Sequence, residues 1–263
     1  NVTTPTDPGD VAVIKGGNVR RLTRLNDDVF AIRDLASVEE IWSTAPDGVK
    51  SQSWIMRPAN FDPAKKYPMI LEIHGGPHTN YGARFSAEMQ AYAAAGYVVL
   101  YSNPRGSTSY GDKFANLIDK AYPGNDYDDL IAAVDATIAK GYVDPTRLFV
   151  TGGSGGGVLT AWIVGNTNRF RAAVVAKPVA PFTSGAEAAR RRPGSVDSKS
   201  GSAIETPTPR RNWRRLSAKR RWFTRSDGAI AGWSFMGKAW RGMVTTGTRL
   251  KLARDVLSAT SER

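Results

Sequence analysis

Cysteine is absent from the 263 residues and histidine occurs only twice. The first absence excludes disulfides, thiolate nucleophiles and cysteine-ligated metals, and it leaves the redox compartment unreadable. No run approaches 18 consecutive apolar residues, which excludes a membrane-spanning helix. The opening NVTTPTDPGD has neither the basic nor the apolar region of a signal peptide, and no initiator Met. The expectation is a soluble piece of a longer polypeptide with its localisation left open. No HExxH, no GxxxxGK[ST] and no internal repeat is present, and no G-x-G-x-x-G has an acidic residue at a suitable distance.

Acidic residues are also scarce, but only at one end. Residues 1–182 carry 18 Lys and Arg against 18 Asp and Glu, whereas residues 183–263 carry 18 against 6, which is the whole formal charge of +12. Arginine outnumbers lysine there by 14 to 4, and four of the seven tryptophans fall in the same stretch. A segment such as RRNWRRLSAKRRW has three readings: a nucleic-acid or acidic-surface binder, a solvated tail without a partner, or a translation in the wrong frame. Frame-shifted or foreign sequence is the leading expectation for 183–263, with disorder as its structural counterpart. Nucleic acid is not the expected partner, because a random arginine-rich translation looks much the same.

Up to residue 179 the pattern is regular. VEEIWSTAPDGVKSQSWIMRP predicts two strands around the turn Pro46-Asp47-Gly48. KKYPMILEIHGG gives a short apolar run from Met69 to Ile73, and GYVVLYSNPRG repeats the plan. Between them AEMQAYAAAG suits a helix stopped by Gly96. NDYDDLIAAVDATIAKGY predicts a helix with Leu130, Ile131, Val134 and Ile138 on one face, Asn125 or Asp126 as cap and Gly141 as terminator. RLFVTGG, GVLTAWIVGN and FRAAVVAKPV read as strand, helix, strand. Apolar strands alternating with helices imply an α/β fold with a mostly parallel, doubly covered sheet, whose ligands sit at the carboxyl ends of the strands. Beyond 182 the pattern predicts no strand, and only RLKLARDVLSA could form a short amphipathic helix.

Gly152-Gly153-Ser154-Gly155-Gly156 fits G-x-S-x-G between a strand and a helix. A serine on a strained turn needs small neighbours so that its hydroxyl is exposed. The amide that follows can then donate to an oxyanion, helped by the helix N-terminus. A phosphate-binding glycine loop or a plain tight turn remains open from these residues alone. About 80 residues earlier, His74-Gly75-Gly76-Pro77 follows the apolar run, and a glycine pair there could aim a second N–H at the same oxyanion. The two motifs together favour a hydrolase.

Residues from about 20 to 179 resemble the catalytic domain of the prolyl oligopeptidase family of serine peptidases, especially its acylaminoacyl-peptidase-like branch. The matching stretches are LTRLNDD, YPMILEIHGGPHTNYG, AAAGYVVLYSNPRGSTSYG, DYDDLIAAVDATIAKGYVDPTRLFVTGGSGGG and FRAAVVAKPV. The resemblance implies an α/β-hydrolase fold and hydrolysis of short peptides, without a cofactor or metal, through an acyl-enzyme on Ser154. It further implies Gly76 and Gly155 as oxyanion donors, and His74, Gly75 and Pro77 as the oxyanion loop. It divides the chain into the end of an upstream β-propeller or linker (1–35), the catalytic domain (36–182) and the basic segment (183–263).

One part of the family's pattern is missing. The order in such enzymes is Ser, Asp, His, yet both histidines, His74 and His78, precede Ser154. Asp227 and Asp255 are the only aspartates in the last 60 residues, and neither has the expected strand-then-loop setting. A base supplied by His74 or Lys177 is a weaker alternative, and two histidines across a Gly-Gly-Pro turn do not make a metal site. The expectation is therefore an impaired peptidase whose fold is incomplete at its C-terminal end, with an exposed apolar sheet edge. An inactive hydrolase-fold protein with a binding tail is the alternative.

Overall fold

The computed structural model describes residues 1–178 and the strand Ala229–Trp233. Two small antiparallel hairpins open the chain: β1 (Val2–Thr4) with β2 (Asp7–Asp10), and β3 (Ala12–Lys15) with β4 (Asn18–Arg21). A short helix α1 (Asp27–Ala31) follows, with no buried residue. This segment touches the rest of the chain through Phe30, edge-on to Phe85, and through the Pro5 carbonyl, which accepts from Gln90 Nε2.

Seven strands form one sheet. They are β5 (Ser37–Thr44), β6 (Lys50–Arg57), β7 (Tyr67–Ile73), β8 (Val98–Asn103), β9 (Val143–Gly153), β10 (Phe170–Ala176) and β11 (Ala229–Trp233), in the order β11-β10-β9-β7-β8-β6-β5. The hairpin predicted around Pro46-Asp47-Gly48 is β5 and β6, antiparallel, and β6 is antiparallel to β8. From β8 through β7, β9 and β10 to β11 every pairing is parallel. All six residues of β8 are buried, as expected of a strand covered on both faces.

Alternate side chains divide the core in two. Met69, Leu71 and Ile73 of β7 and Val98 and Leu100 of β8 pack with Leu130, Ala133 and Val134 of helix α4 (Asp126–Ala139) and with Val158 and Ile163 of helix α5 (Gly155–Asn166). On the other face Val99 and Tyr101 meet Trp54, Met56 and, from helix α2 (Ala87–Ala94), Met89 and Ala93. Gly96 and Gly141 both have φ +89°, the left-handed conformation that stops α2 and α4 where the sequence predicts. A four-residue helix, α3 (Asp112–Ala115), leads into the 3₁₀ turn Asn116–Ile118.

Two expectations need correction. The buried face of α4 is Asp126, Asp129, Leu130, Ala133, Val134 and Thr137, with Ile131 and Ile138 only half-buried at its margins. Periodicity of apolar residues misses this, because Asp129 is drawn inward by a partner from β8's loop. Arg105 donates to Asp129 from Nε (2.9 Å), a terminal nitrogen (2.7 Å) and its own backbone N–H (2.7 Å). Asn125 is the N-cap, as the sequence allows, but without a side-chain cap bond; the Asp126 carboxylate accepts from the N–H groups of Gly124 (2.7 Å) and Tyr127 (2.9 Å).

The second correction concerns the sheet edge. Ala229–Trp233 lies inside the stretch predicted to contain no strand, yet it pairs in parallel along β10 from Ala172↔Ala229 to Ala176↔Trp233. A five-residue run of mostly small residues, AIAGW, carries too little pattern to be seen in sequence. RLKLARDVLSA, Asp227 and Asp255 lie outside the described residues.

Burial pushes the Asp126 carboxyl up to about 7, against the lowering effect of its two backbone donors; Asp129 nearby adds to the rise and Arg105 opposes it. One of its oxygens has no partner. Between the ordinary value of 3.8 and about 7 the folded chain therefore holds a proton that the unfolded chain has released. This group's stabilisation is complete at low pH and is lost as pH rises through 7. Asp126→Asn keeps an acceptor for Gly124 and Tyr127 and removes the buried charge. Urea titrations should show a flatter dependence of stability on pH between 4 and 7 for the variant, and a gain at pH 8 of a few kcal/mol at most, given about 1.4 kcal/mol per pKa unit.

Candidate active site

The long strand β9 ends at Gly153 and α5 begins at Gly155, so the turn between them is one residue, Ser154. Its backbone has φ +58° and ψ −117°, a conformation that costs a non-glycine residue on the order of 1–3 kcal/mol and persists only where surrounding structure imposes it. Two hydrogen bonds do so. The Ser154 N–H donates to the Ala176 carbonyl at the end of β10 (3.0 Å), and its carbonyl accepts from Val158 in the first turn of α5 (3.1 Å). The serine side is exposed while the glycines that follow it are buried.

Close packing of main chain explains those glycines. A β-carbon on Gly155 would lie 2.8 Å from the Gly76 carbonyl oxygen, and one on Gly156 would collide with the Ile73 carbonyl. The loop after β7 is thus pressed onto the serine turn with nothing but backbone between them. Seen from that loop, a β-carbon on Gly75 would be 3.3 Å from the Ser154 β-carbon, and Gly76 itself has φ +117°. Ser154, Gly155, Gly75 and Gly76 are brought together. Pro77 follows in a tight bend in which its carbonyl accepts from Thr79 N–H at 2.9 Å.

Both histidine rings are held by loop contacts. His74 Nδ1 lies 2.7 Å from the Gly75 carbonyl, which can only accept, so the neutral ring carries its proton on Nδ1. Nε2 faces the Ser107 hydroxyl at 3.0 Å, and Ser107 Oγ is also 2.7 Å from the Pro104 carbonyl. Burial lowers the His74 pKa, which favours this neutral form. The ring packs edge-on against Tyr81 at 5.1 Å between centroids. His78 Nδ1 donates to the Gly106 carbonyl at 3.0 Å.

Beside the turn lies a cavity of about 430 Å³, bordered by Glu72, His74, Gly75, Tyr81, Gly153 and Lys177 among others. Burial, reinforced by Glu88, raises the Glu72 carboxyl well above the ordinary carboxylate range, and Tyr81 donates weakly to it at 3.4 Å. Lys177 is exposed at φ +45°, directly after β10. Among the described residues no group of three or more His, Asp and Glu is placed to hold a metal ion. Sequence reading missed Arg105, Gly106 and Ser107, whose loop holds both histidines. An arginine two residues after a strand that opens on an apolar run was the available signal.

A serine on a one-residue turn, carried by an inner strand of a parallel sheet with helices on both faces, is the α/β-hydrolase fold. Residues 83–188 match the profile of the prolyl oligopeptidase family. An uncharacterised peptidase of Bacillus subtilis, YuxL, is 45% identical over 186 residues, which is 70% of this chain and 28% of the relative; dipeptidyl-peptidase 5 of Schizosaccharomyces pombe is 35% identical over 143 residues, 52% of this chain and 21% of the relative. Among solved structures, an acylaminoacyl peptidase in complex with Z-Gly-Gly-Phe-chloromethyl ketone superposes with a TM-score of 0.66 and 27% identity, over 69% of this chain and 29% of that one. The acylaminoacyl peptidase of Pyrococcus horikoshii gives 0.61 and 28%, over 65% and 28%. The part of the chain matched by that profile belongs to the prolyl oligopeptidase family, and the chain spans less than a third of the length of these relatives.

Gly156→Ala tests the backbone packing directly. The added methyl has no flexible neighbour to displace, so the variant should lose the seating of α5 against β7. A lowered urea midpoint, or failure to accumulate as folded protein, is expected, whereas Gly96→Ala, where a β-carbon meets open space, should be destabilised only by its positive φ.

Proposed function

We propose that this chain carries the catalytic part of a serine peptidase that cleaves short peptides through an acyl-enzyme on Ser154. The observation behind the proposal is the backbone at Ser154: a strained, exposed serine at the N-terminus of a buried helix, with a Gly-Gly loop packed against it. In this reading Ser154 Oγ attacks the peptide carbonyl carbon, and the N–H groups of Gly155 and Gly76 receive the oxyanion. The C–N bond breaks as the leaving amine takes up a proton. Water then hydrolyses the ester and restores the hydroxyl. The peptidase names of the relatives support peptides as the substrate class.

The division into 1–35, 36–182 and 183–263 belongs to the same proposal, with the middle segment holding the nucleophile. An elbow serine also needs a base, and no histidine follows Ser154 in these 263 residues. His74 is committed to Gly75 and Ser107, which disfavours it as a substitute. This polypeptide on its own is therefore expected to turn peptides over about a millionfold more slowly than an enzyme with a full triad. A fluorophosphonate probe should label the chain slowly and at Ser154 alone, with no label on Ser154→Ala. A rate typical of complete serine hydrolases would overturn the impairment, and a folded chain that stays unlabelled would overturn Ser154 as nucleophile.

The concentration of all the net charge in 183–263 favours one second reading, in which that segment binds a polyanion. Filter binding of duplex DNA should then weaken steeply with salt and vanish on deleting 183–263. Salt-insensitive or absent binding would remove it.

A further inference from the structure

We propose that Arg105 is a positioning residue for the Ser154 site: it anchors the 104–108 loop, which in turn holds the histidine loop that carries Gly76. This rests on the reading of Ser154 as nucleophile and of Gly76 as an oxyanion donor. Arg105 is 6% exposed. Its guanidinium bridges two carboxylates from distant parts of the chain. One terminal nitrogen donates to Asp47 Oδ2 at 2.6 Å and the other to Asp47 Oδ1 at 2.9 Å and to Asp129 Oδ1 at 2.7 Å, while Nε reaches Asp129 Oδ2 at 2.9 Å. Asp129 Oδ2 also accepts the Arg105 backbone N–H. Main chain and side chain of one residue are thereby fixed to α4 and to the β5–β6 turn. Only a planar, multiply donating fork can make this bridge, which a lysine ammonium cannot reproduce.

The next three residues pass that fixation on. Gly106 offers its carbonyl to His78, Ser107 Oγ lies 3.0 Å from His74 Nε2, and Thr108 N–H donates to the Thr79 carbonyl at 3.0 Å. Every one of these contacts lands on the segment between β7 and α2, and two of them flank Gly75 and Gly76. The connected path runs from Asp129 through Arg105, Ser107 and His74 to the loop seated on Ser154. A purely stabilising ion pair has no need of such neighbours.

The chain's only two histidines make the path observable. In ¹⁵N-histidine-labelled protein, long-range ¹H–¹⁵N correlation spectra at pH 8 report the tautomer of each ring, and His78→Gln assigns them. Wild type should show His74 mainly as the Nδ1–H form. Arg105→Met and Ser107→Ala should each narrow the separation between its two ring nitrogens toward that of free imidazole, with Arg105→Lys in between. Arg169→Met, which breaks the exposed pair with Asp135, should change nothing. Unchanged His74 resonances in Arg105→Met with a native near-ultraviolet circular dichroism spectrum would overturn the proposal. Should Arg105→Met fail to fold, Ser107→Ala decides, since it removes one hydroxyl; an unmoved His74 ring there overturns it equally. If the ring responds but fluorophosphonate never labels Ser154, the reading of Ser154 fails, and the coupling of Arg105 to the histidine loop stands without it.

Discussion

The contact on which the site depends is backbone against backbone. Two turns, one after β7 and one after β9, meet so closely that a single β-carbon at Gly155 or Gly156 would drive them apart. Hydrophobic burial cannot by itself impose that approach. It follows from the parallel register of β7 and β9, in which Ile73 pairs with Gly152 and both strands run out at the same level of the sheet. Helix α5 then starts with its N-terminal N–H groups at the shared lip, where a developing negative charge is best met.

Behind this lip the structure uses buried charge to tie together pieces that the sheet alone leaves free. Arg105 and Asp129 are both buried, and removing one partner of such a pair typically costs about 3–5 kcal/mol, because the other is left uncompensated. Burial raises the Asp129 carboxyl, while the three Arg105 donors work against that rise. What the pair supplies is geometric: a helix on one face of the sheet, a hairpin near its antiparallel end and a loop at its carboxyl lip share one guanidinium. Asp126, three residues away on the same helix face, is raised chiefly by burial; its two backbone donors and, more weakly, Arg105 oppose that rise.

The relatives bear on the same point from another direction. Identity is 45% to a bacterial peptidase and 27–28% to acylaminoacyl peptidases. Each relative is more than three times the length of the part matched here. The strand Ala229–Trp233 extends the sheet past β10, so sequence beyond residue 182 contributes to the same layer despite its different charge and composition.

Local chemistry made much of this legible in advance. The Pro46-Asp47-Gly48 hairpin, the apolar strands, the stops at Gly96 and Gly141, and the pairing of Gly-Gly and G-x-S-x-G motifs at strand ends all follow from turn geometry, periodicity and the small size of glycine. The sequence by itself determined that Ser154 sits on a turn between strand and helix, because an apolar run precedes the glycine cluster and a helix-compatible stretch follows it. Tertiary structure alone decided that Asp129 faces inward, that His74 Nε2 meets Ser107, and that AIAGW is a strand. Each of these depends on a partner tens of residues away, and one-dimensional periodicity carries no information about which distant group will satisfy a buried charge, a ring nitrogen or an open strand edge.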